Sequence, residues 1–472
     1  MNLSSPARRL FAALLFLLPV CALAQQGLPY EVESELRRAK IPVKATATLV
    51  QEVGSRAAWI SINAKQPFSP ASTMKLVTTH AALELLGPTH SWKTQVLATG
   101  RLINGTLNGD LIFRGSGDPK FMMEHLWLLL RQVRAQGIRD IRGQLVLDRT
   151  AFAELPFDAA AFDGAPDKAY NAGPDALLLN YRTLQFGFAP NDAGNGVQVR
   201  LDPPLAGFPV TAPALADGDC NSWKQQLALD FDASGARFNG SYPTACGDKT
   251  WFVHAHALTP DQYFAATFRQ MWHDAGGTFN GSVTSGATPP NARQITEWTS
   301  PTVPEIIRDI NKFSNNVMTR QLLLAIALQN GSPARPERGA EAVKAWLAAR
   351  GIAAPELVIE NGSGLSRNER ISAGTMGKLL QAAWRSPLMP EFISSLPLAG
   401  QDGTMRTRVQ QKGVAGHAHI KTGSLKDVRT MAGYVLAASG KRYVVVCFIN
   451  HPNAGAGRPA LDALLEWVYT SG

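Results

Sequence analysis

Apolar residues change their spacing several times along this chain, and each change marks an element or a boundary. Residues 30–40 read as a short amphipathic helix. Strand-like runs over 45–50 and 57–62 follow, parted by turn residues around Gly54. Residues 76–86 place apolar side chains at helical spacing and stop at Gly87-Pro88. From about residue 91 the texture turns to short strands over 92–97, 100–107 and 109–114, then an apolar helix over 122–136 and a strand over 141–147. The stretch 191–248 is β-like and rich in Gly, Pro, Asp and Asn. Helix returns over 264–275, and Pro289-Pro290, Pro301 and Pro304 mark a boundary. The last third predicts helices over 305–312, 317–329, 337–350 and 373–385, strands over 417–421, 430–437 and 442–450, and a closing helix over 459–469.

Two strands and a helix at the start, with strands and a helix at the end, predict one antiparallel sheet assembled from both ends of the chain. The expected class is α/β of the α+β kind, with helices flanking that sheet. Residues 25–90 and 291–472 would form the body, 91–190 and 249–290 a two-part inserted α/β domain, and 191–248 a nested β-rich subdomain.

The first residues refine the compartment. Arg8-Arg9, an apolar run over 10–23 and Ala22-Leu23-Ala24 have the layout of a secretory signal cleaved after Ala24. Val20 stands where lipid attachment at Cys21 would want a small residue, so simple cleavage is expected, and no later run suits a transmembrane anchor. The formal charge of +9 becomes +7 once Arg8 and Arg9 leave. That balance suits an anionic extracellular polymer, whereas nucleic acid is not expected because no basic run interleaves with aromatics. Cleavage leaves Cys220, Cys246 and Cys447. Export permits a disulfide between the first two, and Cys447 sits in an apolar run that reads as a buried strand.

Candidate chemistry begins at Ser72, three residues before Lys75 at the mouth of the 76–86 helix. Positions i and i+3 share a helix face, so a lysine amine can reach the serine hydroxyl and take its proton. A Ser near a helix start is more often only a cap, so the pair gains weight from its company. Ser314-Asn315-Asn316 falls between two predicted helices, and Lys421-Thr422-Gly423 ends a predicted strand. Ser314 can relay a proton to a leaving amine, and Asn316 can donate to a substrate amide. Lys421 offers charge to a terminal carboxylate, Thr422 a hydroxyl, and Gly423 room for substrate backbone. Ser61-Ile62-Asn63 and Ser366-Arg367-Asn368 repeat the Ser-x-Asn pattern, so it is the ordered set of three motifs that is specific. His254-Ala255-His256 and His417-Ala418-His419 could each face one side of a strand, but neither has metal-ligand partners at a recognised spacing. No metal or cofactor is expected. Gly115-Ser116-Gly117 lacks dinucleotide spacing and reads as a turn.

With these motifs, and with Gly115-Ser116-Gly117-Asp118-Pro119, Glu360-Asn361-Gly362-Ser363-Gly364-Leu365-Ser366-Arg367, Pro397-Leu398-Ala399-Gly400 and Asp402-Gly403-Thr404, the chain resembles the D-alanyl-D-alanine carboxypeptidase/endopeptidases of peptidase family S13, the penicillin-binding protein 4 type. The separation of 239 residues between Lys75 and Ser314 fits that family's large insertion, which class A β-lactamases lack. The resemblance implies a penicillin-binding, serine β-lactamase-like transpeptidase body. It implies that Ser72 attacks D-Ala-D-Ala stem peptides of peptidoglycan, with Lys75 as base and the backbone N–H groups of Ser72 and Ser424 as oxyanion hole. It further implies cleavage of D-Ala-diaminopimelate crosslinks, covalent inhibition by β-lactam antibiotics and a periplasmic location. Arg367 would hold the diaminopimelate carboxylate, with either Asp163 or Asp167 joining that pocket. A serine β-lactamase and a non-hydrolytic wall-binding or β-lactam-sensing protein are the alternatives.

Overall fold

The computed structural model describes residues 27–472, so the signal read over 1–24 lies outside the described residues. The body is built on a five-stranded sheet of β1 (Thr46–Glu52), β2 (Ile60–Ile62), β3 (Ala418–Leu425), β4 (Val428–Leu436) and β5 (Arg442–Asn450). Their order is β2-β1-β5-β4-β3, and every neighbouring pair is antiparallel. Both chain ends therefore meet in one sheet, as the pattern predicts.

Seven consecutive residues of β5 are buried, which an antiparallel strand shows only when both faces of its sheet are covered. The two-residue period then splits them. Val444, Val446 and Phe448 join Ala47 and Leu49 in the core under α2 (Met74–Leu85), α3 (Val303–Phe313), α4 (Asn316–Leu328) and α5 (Ala373–Arg385). Val445, Cys447 and Ile449 face the other way, against Val32 and Leu36 of α1 (Tyr30–Arg38) and Leu461, Leu464 and Leu465 of α6 (Arg458–Ser471). Positions Met74–Leu83 of α2 are all buried, so this helix runs through the core rather than along the surface.

A second core, from Val96 to Phe279, belongs to the chain between the two parts of the body. Its entry strand Lys93–Ala98 pairs antiparallel with its exit strand Arg293–Thr299, so both crossings lie side by side. Cys220 and Cys246 are joined by a disulfide here, whereas Cys447 stays a buried thiol 3.3 Å from Thr48 Oγ1.

Several elements depart from the sequence pattern. The single strand expected over 100–107 is a hairpin of Arg101–Ile103 and Thr106–Asn108, turned by Asn104 and Gly105 at φ 49° and 83°. An Asn-Gly pair takes positive φ readily, which outweighs the apolar continuity. The strand expected over 141–147 is split into Asp140–Ile141 and Leu145–Asp148 at Gly143, where a Cβ would collide with the Gly109 carbonyl. The helix expected from 264 starts at Pro260, because Thr259 caps it in a box with Gln262. The short helix Met389–Ser395 has no counterpart in the predicted set. Neither His-Ala-His places both imidazoles on a strand: His254 ends Lys249–His254 with His256 in the turn beyond, and His417 precedes β3. Among the described residues, no group of three or more His, Cys, Asp or Glu could hold a metal ion, and no helix is long and apolar enough to cross a membrane.

Candidate active site

Ser72 stands in the tight turn Ala71–Thr73 that runs directly into α2. The turn is strained, since Ala71 has φ 45° without being glycine. Its surroundings hold it there. Thr73 Oγ1 and Thr430 Oγ1 of β4 each donate to the Pro70 carbonyl at 2.7 Å. Asn450 of β5 accepts from the Ser69 N–H at 2.8 Å and donates to the Ser69 carbonyl at 3.1 Å. The sheet thus fixes the backbone on which Ser72 is presented.

Lys75 is fully buried one turn on, and its Nζ lies 3.1 Å from Ser72 Oγ. Nζ also donates to Asn316 Oδ1 at 2.6 Å and to the Ser363 carbonyl. Those two oxygens can only accept, so they take two hydrogens. In a neutral amine the remaining position is the lone pair, and it falls toward the Ser72 hydroxyl. Burial is the main cause holding the Lys75 pKa well below its ordinary value; Lys421 pushes it down further, Glu369 pulls it up and Arg320 pushes it down.

Ser314 ends α3 in the left-handed region, at φ 59°, and the Asn315 side chain caps α4 by accepting from the Met318 N–H at 3.0 Å. That reversal swings Asn316, the first residue of α4, toward Lys75. Lys421 Nζ of β3 donates to Ser314 Oγ and to the Thr422 carbonyl, both at 2.9 Å, and burial lowers its pKa to about 7. Thr422 Oγ1 bonds Thr404 Oγ1 at 2.9 Å. At Gly423 a Cβ would sit 2.8 Å from the Ser72 nitrogen, so only glycine lets β3 lie this close to the turn. Ser424 follows on the same strand, opposite Arg429 of β4. The fold therefore brings Ser72, Lys75, Ser314, Asn316, Lys421, Thr422 and Gly423 together through direct contacts.

Arg367 pairs with Asp427 at 3.2 Å, its guanidinium 4.7 Å from the centre of the Phe162 ring. Asp163 is turned to its own loop, accepting from Tyr170 and Asn171 at 2.8 Å each and from the Ala165 N–H at 3.1 Å. Burial pushes its carboxyl up, but these bonds outweigh it and the pKa is lowered. Asp167 pairs with Lys168 at 3.2 Å. Neither aspartate is hydrogen-bonded to Arg367. Sequence reasoning missed Asp427, two residues past the Lys421–Leu425 run, and Phe162, next to a candidate. It also missed the Ser363 carbonyl and Glu369; a backbone oxygen leaves no signature in the letters, although Ser363 lies inside a quoted motif.

The sequence model of the D-Ala-D-Ala carboxypeptidase 3 (S13) family matches residues 28–470. The D-alanyl-D-alanine carboxypeptidase DacB of Haemophilus influenzae is 28% identical over 393 residues, which cover 82% of this chain and 81% of that protein. The D-alanyl-D-alanine carboxypeptidase of Actinomadura sp. is 29% identical over 416 residues, 82% of this chain and 74% of that one. Among solved structures, penicillin binding protein 4 (dacB) from Haemophilus influenzae superposes with a TM-score of 0.77 at 25% identity, covering 93% of this chain and 99% of its own. The same protein has been solved in complex with a β-lactam, and that structure superposes with a TM-score of 0.74 at 24% identity over 93% of this chain and 99% of its own. A serine beside a lysine amine in a body of this fold, and a family match across nearly all the described residues, lead to one assignment: the chain belongs to the D-Ala-D-Ala carboxypeptidase 3 (S13) family of serine peptidases.

Proposed function

We propose that Ser72 is the nucleophile of a D,D-carboxypeptidase that also opens D-Ala-diaminopimelate crosslinks of peptidoglycan. The observation that carries this reading is the contact of Lys75 Nζ with Ser72 Oγ, with both hydrogens of the neutral amine engaged by Asn316 and Ser363. Ser72 Oγ attacks the carbonyl of the penultimate D-Ala while Lys75 takes its proton. The resulting oxyanion is received by the backbone N–H groups of Ser72 and Ser424. The C–N bond then breaks, and the proton passes from Lys75 through Ser314 to the leaving amine, freeing D-alanine and leaving an ester on Ser72. Water, activated in the same way, hydrolyses the ester.

Asn316 Nδ2 donates to a stem-peptide carbonyl, and Lys421 holds the terminal carboxylate with help from Thr422. Burial lowers the Lys421 pKa to about 7, and an anion beside it makes it gain its proton more readily. A cavity of about 450 Å³ opens beside Arg367, between the 152–162 segment and the 360–368 turn. In this reading the diaminopimelate side chain occupies that cavity with its carboxylate on Arg367, and Asp163 or Asp167 joins it only by leaving its present partners, since neither lines the cavity. β-Lactams acylate Ser72 by the same attack, in keeping with the β-lactam complex of the Haemophilus influenzae protein. The compartment in this reading is the periplasm, supported by the secretory layout of residues 1–24 and by a polymeric wall substrate. Residues 25–90 and 291–472 form the catalytic unit, and 91–190, 191–248 and 249–290 the parts inserted beside it.

Purified protein should release D-alanine from a peptide ending in D-Ala-D-Ala and split crosslinked muropeptide dimers into monomers. Ser72→Ala should abolish both, together with labelling by a fluorescent penicillin. Retained hydrolysis in that variant would refute the assignment, and rapid penicillin turnover instead of a long-lived adduct would mark a β-lactamase.

A further inference from the structure

Glu369 is a carboxylate with no exposed surface that the mechanism above leaves unused. Its Oε1 accepts from the backbone N–H groups of Glu360, Asn361 and Gly362 at 3.1, 2.9 and 2.7 Å, and its Oε2 from Gly364 at 2.8 Å. Four amides of one turn therefore converge on one side chain. Gly362 and Gly364 make the wrapping possible, with φ 73° and 79°. The turn meets the active site at two points. The Gly362 carbonyl accepts from Thr78 Oγ1 of α2 at 2.8 Å, and the Ser363 carbonyl accepts from Lys75 Nζ.

We propose that Glu369 is a positioning residue of the acylation step: its carboxylate holds the turn that presents the Ser363 carbonyl to Lys75, and so keeps the lysine's lone pair on the Ser72 hydroxyl. The inference rests on the reading of Ser72 as nucleophile and Lys75 as base. If the turn slackens, the Ser363 carbonyl withdraws, and Lys75 can rotate a hydrogen toward Ser72 in place of its lone pair.

A buried carboxylate near a lysine would ordinarily keep that lysine protonated and useless as a base. Arg320 answers this. It lies four residues after Asn316, on the same face of α4, is 7% exposed, and is anchored by Nη1 to the Ala172 carbonyl at 2.6 Å. Burial pushes the Arg320 pKa down to about 10 and Glu369 pulls it back up, so the guanidinium keeps its proton below that and its charge acts on Glu369, whose own carboxyl burial pushes up and the four amides pull down. The charged groups acting on Lys75 are then Lys421 from β3, Arg320 from α4 and Glu369 from the segment after the turn.

The test follows penicillin acylation and D-alanine release from pH 5 to 9 in the whole protein, in Glu369→Gln and in Arg320→Met. Glutamine keeps the volume but turns an NH₂ toward amides that need an acceptor. Acylation should fall by on the order of a hundredfold, with KM for the peptide little changed, as expected for a displacement of about 1 Å at the base. Loss of the negative charge makes Lys75 harder to protonate, so the acid limb of kcat/KM should move to lower pH. Arg320→Met leaves Glu369 less balanced, and its limb should move to higher pH. A purely structural role would lower activity in both variants without moving the limbs apart. An unmoved limb in Glu369→Gln, or acylation at the parent rate, overturns the proposal. If Glu369→Gln fails to fold by circular dichroism, an unmoved limb in Arg320→Met overturns it equally. Absence of D-alanine release and of a Ser72 adduct in the parent protein would instead strike the functional reading.

Discussion

At the scale of single residues, the cleft combines groups that stability alone would not select. Two buried lysine amines are each paired with neutral oxygens, an arrangement that costs solvation and favours their uncharged forms. Lys421 makes stability depend on pH. Its folded-state pKa is about 7, against about 10.4 in an unfolded chain, so between those values the unfolded chain holds the extra proton and stability rises with pH. The contribution is complete above the unfolded value and lost as pH falls toward 7. Lys421→Met removes this burden. We expect it to reduce D-alanine release by roughly a hundredfold or more while its stability in urea at pH 7 equals or exceeds that of the parent. The advantage should shrink in denaturation series taken up to pH 10, as the parent gains. A variant that is less stable than the parent at pH 7 would show that the bonds of Lys421 to Ser314 and Thr422 outweigh its desolvation.

At the scale of elements, the site depends on how the end of α3 is tied to the loop before β3. Lys312 Nζ, with a side chain only 7% exposed, pairs with Asp402 Oδ2 at 2.7 Å. Asp402 Oδ1 accepts from the Leu398 N–H at 2.7 Å, and Thr404 in the same loop meets Thr422. Ser314 therefore inherits its place from a contact two residues upstream. Asp402→Ala strands a nearly buried ammonium and should destabilise by about 2 kcal/mol, discounted from a fully buried pair because Asp402 is 42% exposed. Acylation should slow in parallel, since Ser314 and Thr422 would lose their common anchor. Equilibrium denaturation and stopped-flow acylation of one preparation would show whether both effects appear.

At the scale of the whole molecule, two cores of different composition share one chain, and side-chain bonds join them. Gln321 of α4 exchanges bonds with the backbone of Asp175 at 2.9 and 2.8 Å, Lys120 pairs with Asp309 of α3 at 2.6 Å, and Arg320 reaches Ala172. The disulfide, by contrast, staples positions 26 residues apart in the second core, away from Ser72. Replacing both Cys220 and Cys246 by Ser should therefore lower the stability of that part by about 3 kcal/mol while leaving penicillin acylation of the folded protein unchanged. Hydrogen exchange would localise the loss, and a fall in acylation would show that the second core supports the cleft more closely than these contacts imply.

The letters alone determined α5 from its helical period, and α2 and β5 from apolar runs of the right length bounded by turn residues, because an element buried on all sides keeps its run but loses its period. They also carried the order of the three motifs, since a serine, a lysine, an asparagine and a glycine are chosen for chemistry that few other side chains supply. Sequence could not reveal what depends on backbone meeting backbone. The break at Gly143, the carbonyl of Ser363 facing Lys75 and the pairing of Arg367 with Asp427 arise only when distant segments touch, whereas the hairpin at Asn104-Gly105 is written in its own two letters. The expectation of Asp163 or Asp167 beside Arg367 came from family resemblance; in the fold Asp163 accepts from Tyr170 and Asn171, partners close in sequence whose bonds close only a short loop. Which residues can react was written in the chain; which of them face one another was decided by the tertiary structure, through contacts whose energy exists only after distant backbone has been brought together.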